Sequence, residues 1–213
     1  MPLTVETLSL GPIGTNCYVL RSGADAAECV VVDPSGDPAD LADRLAELGT
    51  TCVAILVTHG HWDHLVGVAG LAEATGAPVH MPAGERSLLE DPDRFWASAP
   101  VPIRAHVPEV LLAGDEALEL AGIQLHVLSL PGHSPSHVAY LAGDDLFSGD
   151  VLFAGSVGRV DIPGADWDAL LASIRSLADR LPPEMRIHPG HGPATTLGAE
   201  LAQNPFLAEL RAS

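Results

Sequence analysis

The segment Thr58-His59-Gly60-His61-Trp62-Asp63-His64 gathers three imidazoles and a carboxylate into one short stretch. At the chain's own His and Asp frequencies, such a set at fixed offsets arises by chance about twice in a thousand sequences. In extended chain, side chains two residues apart project to the same side, which pairs His59 with His61. Asp63 and His64 fall on the first turn of the helix that follows and address a neighbouring point in space. One loop can therefore feed two adjacent cation positions. Imidazole and carboxylate suit a borderline or hard divalent ion such as zinc, iron or manganese, and no nearby cysteine favours a thiolate site.

Polar residues beside glycine recur at three further predicted strand ends: His133 in Pro131-Gly132-His133-Ser134-Pro135, Asp150 in Ser148-Gly149-Asp150, and His191 in Pro189-Gly190-His191-Gly192. Loops held by a rigid sheet can converge on one cleft, and the glycines let the backbone turn tightly. The ligand candidates are thus His59, His61, Asp63, His64, His133, Asp150 and His191. The ordinary reading of a histidine, structural or solvated, applies to His80, His106, His126 and His188. His137 lies beyond the helix-breaking Pro135 and is a candidate to hold a ligand in place. Asp33, in Val31-Val32-Asp33-Pro34, is either a turn former or a carboxylate that orients a ligand imidazole. Thr58 reads as a buried hydroxyl beneath the loop, and Arg159 with Asp161 as an ion pair fixing the loop after Asp150.

These positions require a scaffold, and the chain supplies alternating signals for one. β-rich runs at 3–10, 17–21, 29–33, 53–58, 117–120, 124–130, 137–141, 145–148 and 185–188 are separated by Ala/Leu-rich helical patterns at 37–48, 63–75, 83–90 and 166–180. That alternation predicts an α/β architecture with sheet inside and helices outside. Residues 91–113 hold four prolines and no sustained period, which predicts a long surface loop. Its Phe95 and Trp96 either shape a pocket or anchor the loop to the body.

The 213 residues are 47% hydrophobic with a formal charge of −18, and all ten basic residues are Arg. A Schiff-base lysine, a phosphate-loop lysine and a polybasic membrane patch are excluded. Nucleic acid would be repelled by most of the surface. Cys17, Cys29 and Cys52 fit neither a CxxC pair nor a disulfide framework and read as buried hydrophobes. The N-terminus lacks the basic-then-apolar pattern of a secretory signal, and the longest aliphatic run, 53–57, is far too short for a membrane span. The expected compartment is the cytoplasm.

The markers THGHWDH, PGHS, SGD and PGHG, in that order, resemble those of the metallo-β-lactamase-fold hydrolases over essentially the whole chain. The stretches LFAGSVGRVDIPGADWDALLASI and HPGHGPATTLGAELAQNPFL are most similar to short bacterial proteins related to glyoxalase II, the hydroxyacylglutathione hydrolases. The resemblance implies an αββα sandwich, two mixed sheets flanked by helices. It implies one metal on His59, His61 and His133, a second on Asp63, His64 and His191, and Asp150 bridging them. Two divalent ions, zinc first with iron or manganese as alternatives, would share a hydroxide, with Asp63 and Asp150 as the carboxylates at the reacting centre. The implied substrate is a small (hydroxy)acyl thioester such as a lactoyl-thiol conjugate.

The same fold also hosts iron-dependent persulfide dioxygenases, which here would use His59, His133 and Asp150 alone. Lactamase and nuclease activities are weaker candidates, the nuclease because of the acidic surface. A non-catalytic metal protein is the third class, but its sites are usually closed and four-coordinate, whereas seven N/O donors leave room for water. Full-length glyoxalase II carries a C-terminal helical domain that grips glutathione; only 22 residues follow His191. The expectation is therefore a single domain without that module, and a thiol carrier either weakly held or other than glutathione.

Overall fold

The computed structural model describes residues 3–211. The first sheet contains β1 (Thr4–Leu10), β2 (Thr15–Arg21), β3 (Glu28–Val32), β4 (Thr51–Leu56), β5 (Val79–Pro82) and β6 (Val110–Leu112), in that spatial order. Its β1–β2 and β2–β3 pairs are antiparallel, and the rest are parallel. The second sheet is built from β7 (Ala117–Leu120), β8 (Ile123–Ser129), β9 (Val138–Ala142) and β10 (Asp145–Gly149), followed, after a small hairpin of β11 (Leu152–Phe153) and β12 (Ser156–Val157), by β13 (Arg186–Pro189) and β14 (Thr195–Thr196). Its order is β14-β13-β10-β9-β8-β7, with β10 and β13 parallel.

Period-two alternation sorts the strands into three apolar layers. Cys17, Val19, Val31 and Ile55 face one helical layer, whereas Tyr18, Leu20, Val32 and Leu56 face the second sheet, meeting Leu125, Val127, Tyr140 and Phe147. The outer face of the second sheet, with Leu128, Leu146 and Ile187, packs on the other helical layer. The architecture is the expected αββα sandwich of two mixed sheets.

On the first side lie α1 (Pro38–Glu47), α2 (Trp62–Leu65) and α3 (Val68–Thr75), with the short α4 (Arg86–Glu90) and α5 (Pro92–Trp96); on the second lie α6 (Trp167–Arg180), α7 (Leu197–Gln203) and α8 (Ala208–Arg211). Asp37 caps α1 by accepting from Ala39 N–H at 2.9 Å, and Asp166 caps α6 through Ala169 N–H at 2.8 Å. Leu170, Ser173, Ile174 and Leu177 form the buried stripe of α6 at helical spacing. Among the described residues no helix is long and apolar enough to cross a membrane. All three cysteines are buried and free.

Two expectations need correction. The helix expected at 63–75 is broken between α2 and α3, because Gly67 N–H donates to Pro34 O at 2.8 Å and a Cβ there would collide with the Pro34 and Gly36 carbonyls. The loop expected at 91–113 holds over 97–109, but its two ends are regular: Pro92 opens α5 and 110–112 add a parallel edge strand to β5, while Ile103 within the loop is buried. Proline-rich composition masked both elements, since Pro is at home in a first helical turn and beside edge strands.

Candidate metal centre

Strands β3 and β4 run parallel, as do β8, β10 and β13, so their C-terminal ends share one edge of each sheet. The chain leaves β3 at Asp33, β4 at 57–64, β8 at 130–137, β10 at Asp150 and β13 at 190–192, and each exit delivers polar side chains to the same place. Asp33 is 2% exposed and adopts a left-handed φ of +48°, a conformation that Asp tolerates better than most residues. That turn aims its carboxylate under the neighbouring loop. Oδ1 accepts from Thr58 N–H at 2.8 Å, and Oδ2 accepts from the Thr58 hydroxyl at 2.7 Å and lies 2.9 Å from His64 Nδ1. Asp33 is an orienting carboxylate, the second of its two expected readings.

The hydrogen bonds also assign ring tautomers. Thr58 has one hydroxyl proton, given to Asp33, so at 3.0 Å it accepts from His59 Nδ1–H and leaves His59 Nε2 bare. His133 Nδ1–H donates to the Arg159 carbonyl at 2.8 Å, turning His133 Nε2 inward to within 2.8 Å of His61 Nδ1. His191 Nε2 lies 3.2 Å from Asp63 Oδ2, which also accepts from Thr15 Oγ1 at 2.7 Å. Asp150 sits among them, with Oδ1 3.4 Å from His64 Nε2, and Oδ2 3.4 Å from His133 Nε2 and 3.6 Å from His191 Nε2. His137, fully buried and stacked on His59, accepts the Asp150 N–H on Nε2 at 3.1 Å and so fixes that residue's backbone.

All seven sequence candidates therefore converge. Their donor atoms fall into three overlapping triads, each within 4.8 Å: His59, His61 and His133; His59, His64 and Asp150; Asp63, His64 and His191. His59 Nε2, His64 Nε2 and Asp150 Oδ1 are buried without a hydrogen-bond partner, and buried polar atoms are rarely left so. A pair of cations fits this donor set, because it would satisfy those atoms with the N/O ligands that zinc, iron and manganese accept.

The electrostatics agree. Burial, reinforced by neighbouring imidazoles, pushes His59 far below the usual histidine value and His61 down to about 3, so both present lone pairs at neutral pH. Burial works against a charge on His64, yet Asp63, Asp33 and Asp150 raise its pKa well above the ordinary value. Burial likewise opposes ionisation of Asp150, but His64 and His133 bring it down to about 2, and His64 with His191 holds Asp63 lower still. The pattern is that of a pocket shaped for added positive charge.

The centre forms the floor of a cavity of about 910 Å³ that His61, Asp63, His133, Asp150 and His191 help to line. Phe95 and Trp96 are in its wall, and Trp96 also packs against the core of the first side, so the segment both shapes the pocket and is anchored to the body. Arg159 and Asp161 form the expected ion pair, at 2.7 and 2.8 Å. Among the remaining histidines, His188 pairs with Asp145 at 2.7 Å and stacks on Phe147, His106 faces Glu109 at 3.3 Å, His80 is buried in β5 and His126 is exposed on β8.

Sequence reasoning missed four supporting residues. Glu85, 2% exposed, accepts from Gly60 N–H, from the Ser134 hydroxyl and from Ser136 N–H, tying the 57–64 loop to the 130–137 loop. Asn16 donates to the carbonyls of Pro189 and Gly192, Tyr18 to that of Pro189, and Thr15 to Asp63, so β2 holds the last ligand loop and the Asp63 carboxylate. None sits in a motif of its own; only their place beside the ligand loops distinguishes them.

The sandwich and this floor of histidines and aspartates define a metallo-hydrolase class, and comparison with known proteins agrees. The profile of the Metallo-beta-lactamase superfamily matches residues 10–191, and the chain belongs to that family. The probable metallo-hydrolase YqgX of Bacillus subtilis (strain 168) is 36% identical over 204 residues, covering 94% of this chain and 95% of that protein. The hydroxyacylglutathione hydrolase GloC of Haemophilus influenzae is 32% identical over 214 residues, 96% and 98% of the two chains. Among solved structures, BLEG-1 B3 metallo-beta-lactamase superposes with a TM-score of 0.88 at 39% identity over 96% of this chain and all of that one. TTHA1623 in a di-iron-bound form gives 0.84 at 42% over 95% and 100%, and ETHE1 from Myxococcus xanthus 0.80 at 25% over 97% and 85%.

Proposed function

We propose that this protein is a dinuclear metallohydrolase that cleaves small hydroxyacyl thioesters. The observation that carries the reading is the grouping of donor atoms into three triads that overlap at His59 and His64, with Asp150 within 3.6 Å of His64, His133 and His191, at an open cavity. His59, His61 and His133 would hold one ion and Asp63, His64 and His191 the other, with Asp150 shared. When bound, the ions supply Lewis acidity toward a carbonyl and acidify a water molecule to about pKa 7. Zinc is the first choice, and the di-iron form of TTHA1623 supports keeping iron beside it.

The chain's own groups do the rest. His59, His61 and His133 stay neutral, because burial depresses all three. Asp63 and Asp150 both line the cavity, and their depressed pKa values make them carboxylates that orient the attacking water rather than store its proton. The cavity wall offers no Lys, Tyr or Cys. A departing thiolate needs no strong general acid, so a thioester suits these walls better than an amide. The similarity to GloC supports the hydroxyacyl-thioester class.

The test is thiol release from a lactoyl thioester by zinc-loaded protein, against a His59→Ala, Asp150→Ala double variant. Equal rates from the two would remove the reading. One iron per chain, with oxygen uptake on adding a thiol persulfide, would replace it with dioxygenation. Turnover of a chromogenic cephalosporin without thioester turnover would favour a lactamase, the activity named for BLEG-1.

A further inference from the structure

Resting on the thioester reading, we propose that the substrate is an apolar, uncharged thioester and that the cavity selects against thiol carriers bearing carboxylates, glutathione among them. The reaction is unchanged by this: the acyl carbon exchanges its C–S bond for a C–O bond from water. One water proton ends on the thiol and the other on the new carboxyl.

The selection lies in the walls. Above the donor floor, the cavity is faced by Ile13, Leu88, Phe95, Trp96, Phe153 and Ile162. Its volume of about 910 Å³ suits a ligand of drug-like size, and such sites bury most of the ligand against apolar groups. Arg159 is the one Lys or Arg among the lining residues. Its guanidinium is engaged by both oxygens of Asp161, so the rim presents a neutral pair. Glu85 adds a carboxylate to the wall, and the chain as a whole carries −18. Asp63 and Asp150 would offset part of the charge of two divalent ions at the floor, and the reacting carbonyl would take the position facing the remainder. A carrier with two carboxylates and an ammonium would therefore give up hydration for an aromatic wall, and would meet no unpaired Lys or Arg on that wall in exchange.

The experiment measures kcat/KM by thiol release for zinc-loaded protein on lactoyl thioesters of phenylmethanethiol, N-acetylcysteamine and glutathione, at low and high salt. The two uncharged substrates should exceed the glutathione thioester by about tenfold or more at low ionic strength, with salt narrowing the gap. Asp161→Asn, which frees the Arg159 guanidinium at an exposed position, should narrow the ratio by raising the glutathione value severalfold. A glutathione thioester turned over as fast as, or faster than, the uncharged pair overturns the inference and leaves thioester hydrolysis standing. Hydrolysis of none of the three brings down the thioester reading itself, and this inference with it.

Discussion

Removing the carboxylate of Glu85 tests whether the two histidine loops are held together from behind. The group accepts hydrogen bonds from Gly60 N–H and the Ser134 hydroxyl at 2.5 Å, and from Ser136 N–H at 3.0 Å. In Glu85→Ala the Gly60 N–H is left buried without an acceptor, at about 1–3 kcal/mol; the Ser134 hydroxyl can rotate and Ser136 is half-buried, so each adds about 1 kcal/mol or less. Relief from burying a carboxylate offsets part of the sum. A net loss of about 2–3 kcal/mol lowers the melting temperature by about 4–12 °C in a chain of this size. Because the carboxylate braces the loops of His59, His61 and His133, the same variant should weaken that triad more than the triad of Asp63, His64 and His191. Thermal denaturation and metal content by plasma mass spectrometry, run side by side, should show a depressed melt and retention of one metal equivalent where the parent keeps two. Glu85→Gln, which keeps an oxygen for Gly60 N–H, should recover about half the loss in stability. A Glu85→Ala protein that melts within about 2 °C of the parent and keeps both equivalents refutes the bracing role.

Three further outcomes follow from the same geometry. Asp33→Asn keeps the left-handed backbone and one acceptor but sets an NH₂ group against Thr58 or His64 Nδ1; metal affinity should fall about 10–100-fold, read by competition with a chromogenic chelator. At Gly190, a Cβ would overlap Asp150 Oδ1 and stand 2.8 Å from His64 Cε1, so Gly190→Ala should cost at least about tenfold in metal affinity while the circular dichroism of the fold persists. Burial tends to raise the Asp145 carboxyl, but hydrogen bonds from Arg186 and His188 hold it below its ordinary value of 3.8. Its contribution to stability is therefore present above pH 3.8 and lost as pH falls through the lower folded value. The melting-temperature gap between parent and Asp145→Asn should be constant near neutrality and close in that acid window.

The strands were legible as β-rich runs, some alternating, as in Ile123–Ser129, and some apolar almost throughout, as in Glu28–Val32. All nine expected runs are strands, displaced by no more than two residues at either end. The short elements β11, β12 and β14 carry two residues each, too few for a period to show. The Val79–Pro82 strand escaped because a proline and a histidine interrupt an already short apolar run, although it sits inside the first sheet. The donor residues were legible because chemistry demanded rare types at strand ends. Their braces were not: Glu85 looks like any helix-surface glutamate, and Asn16 and Thr15 like ordinary strand polars, until tertiary structure brings residues 49, 173 and 48 positions away against them. Asp33 stood between, since an Asp before Pro signals a turn and only the fold shows what its carboxylate reaches.

That division has a physical consequence for how the centre can fail. Asp33, His59, His61, Asp63 and His64 come from the first sheet, whereas His133, Asp150 and His191 come from the second, so the donor set exists only when the two sheets are docked. The docking is pinned close to the donors themselves. Tyr140 O–H donates to Val57 O at 2.7 Å, Val138 N–H to Thr58 O at 2.9 Å, and Tyr18 O–H to Pro189 O at 2.6 Å, each crossing between sheets beside a ligand loop. Packed interiors transmit small shifts because they hold few voids. A substitution in the inter-sheet layer, far from any donor, therefore displaces one half of the donor set against the other. Substitutions in the outer helical layers leave these pins in place, so equal losses of stability in the two layers will have unequal effects on metal binding.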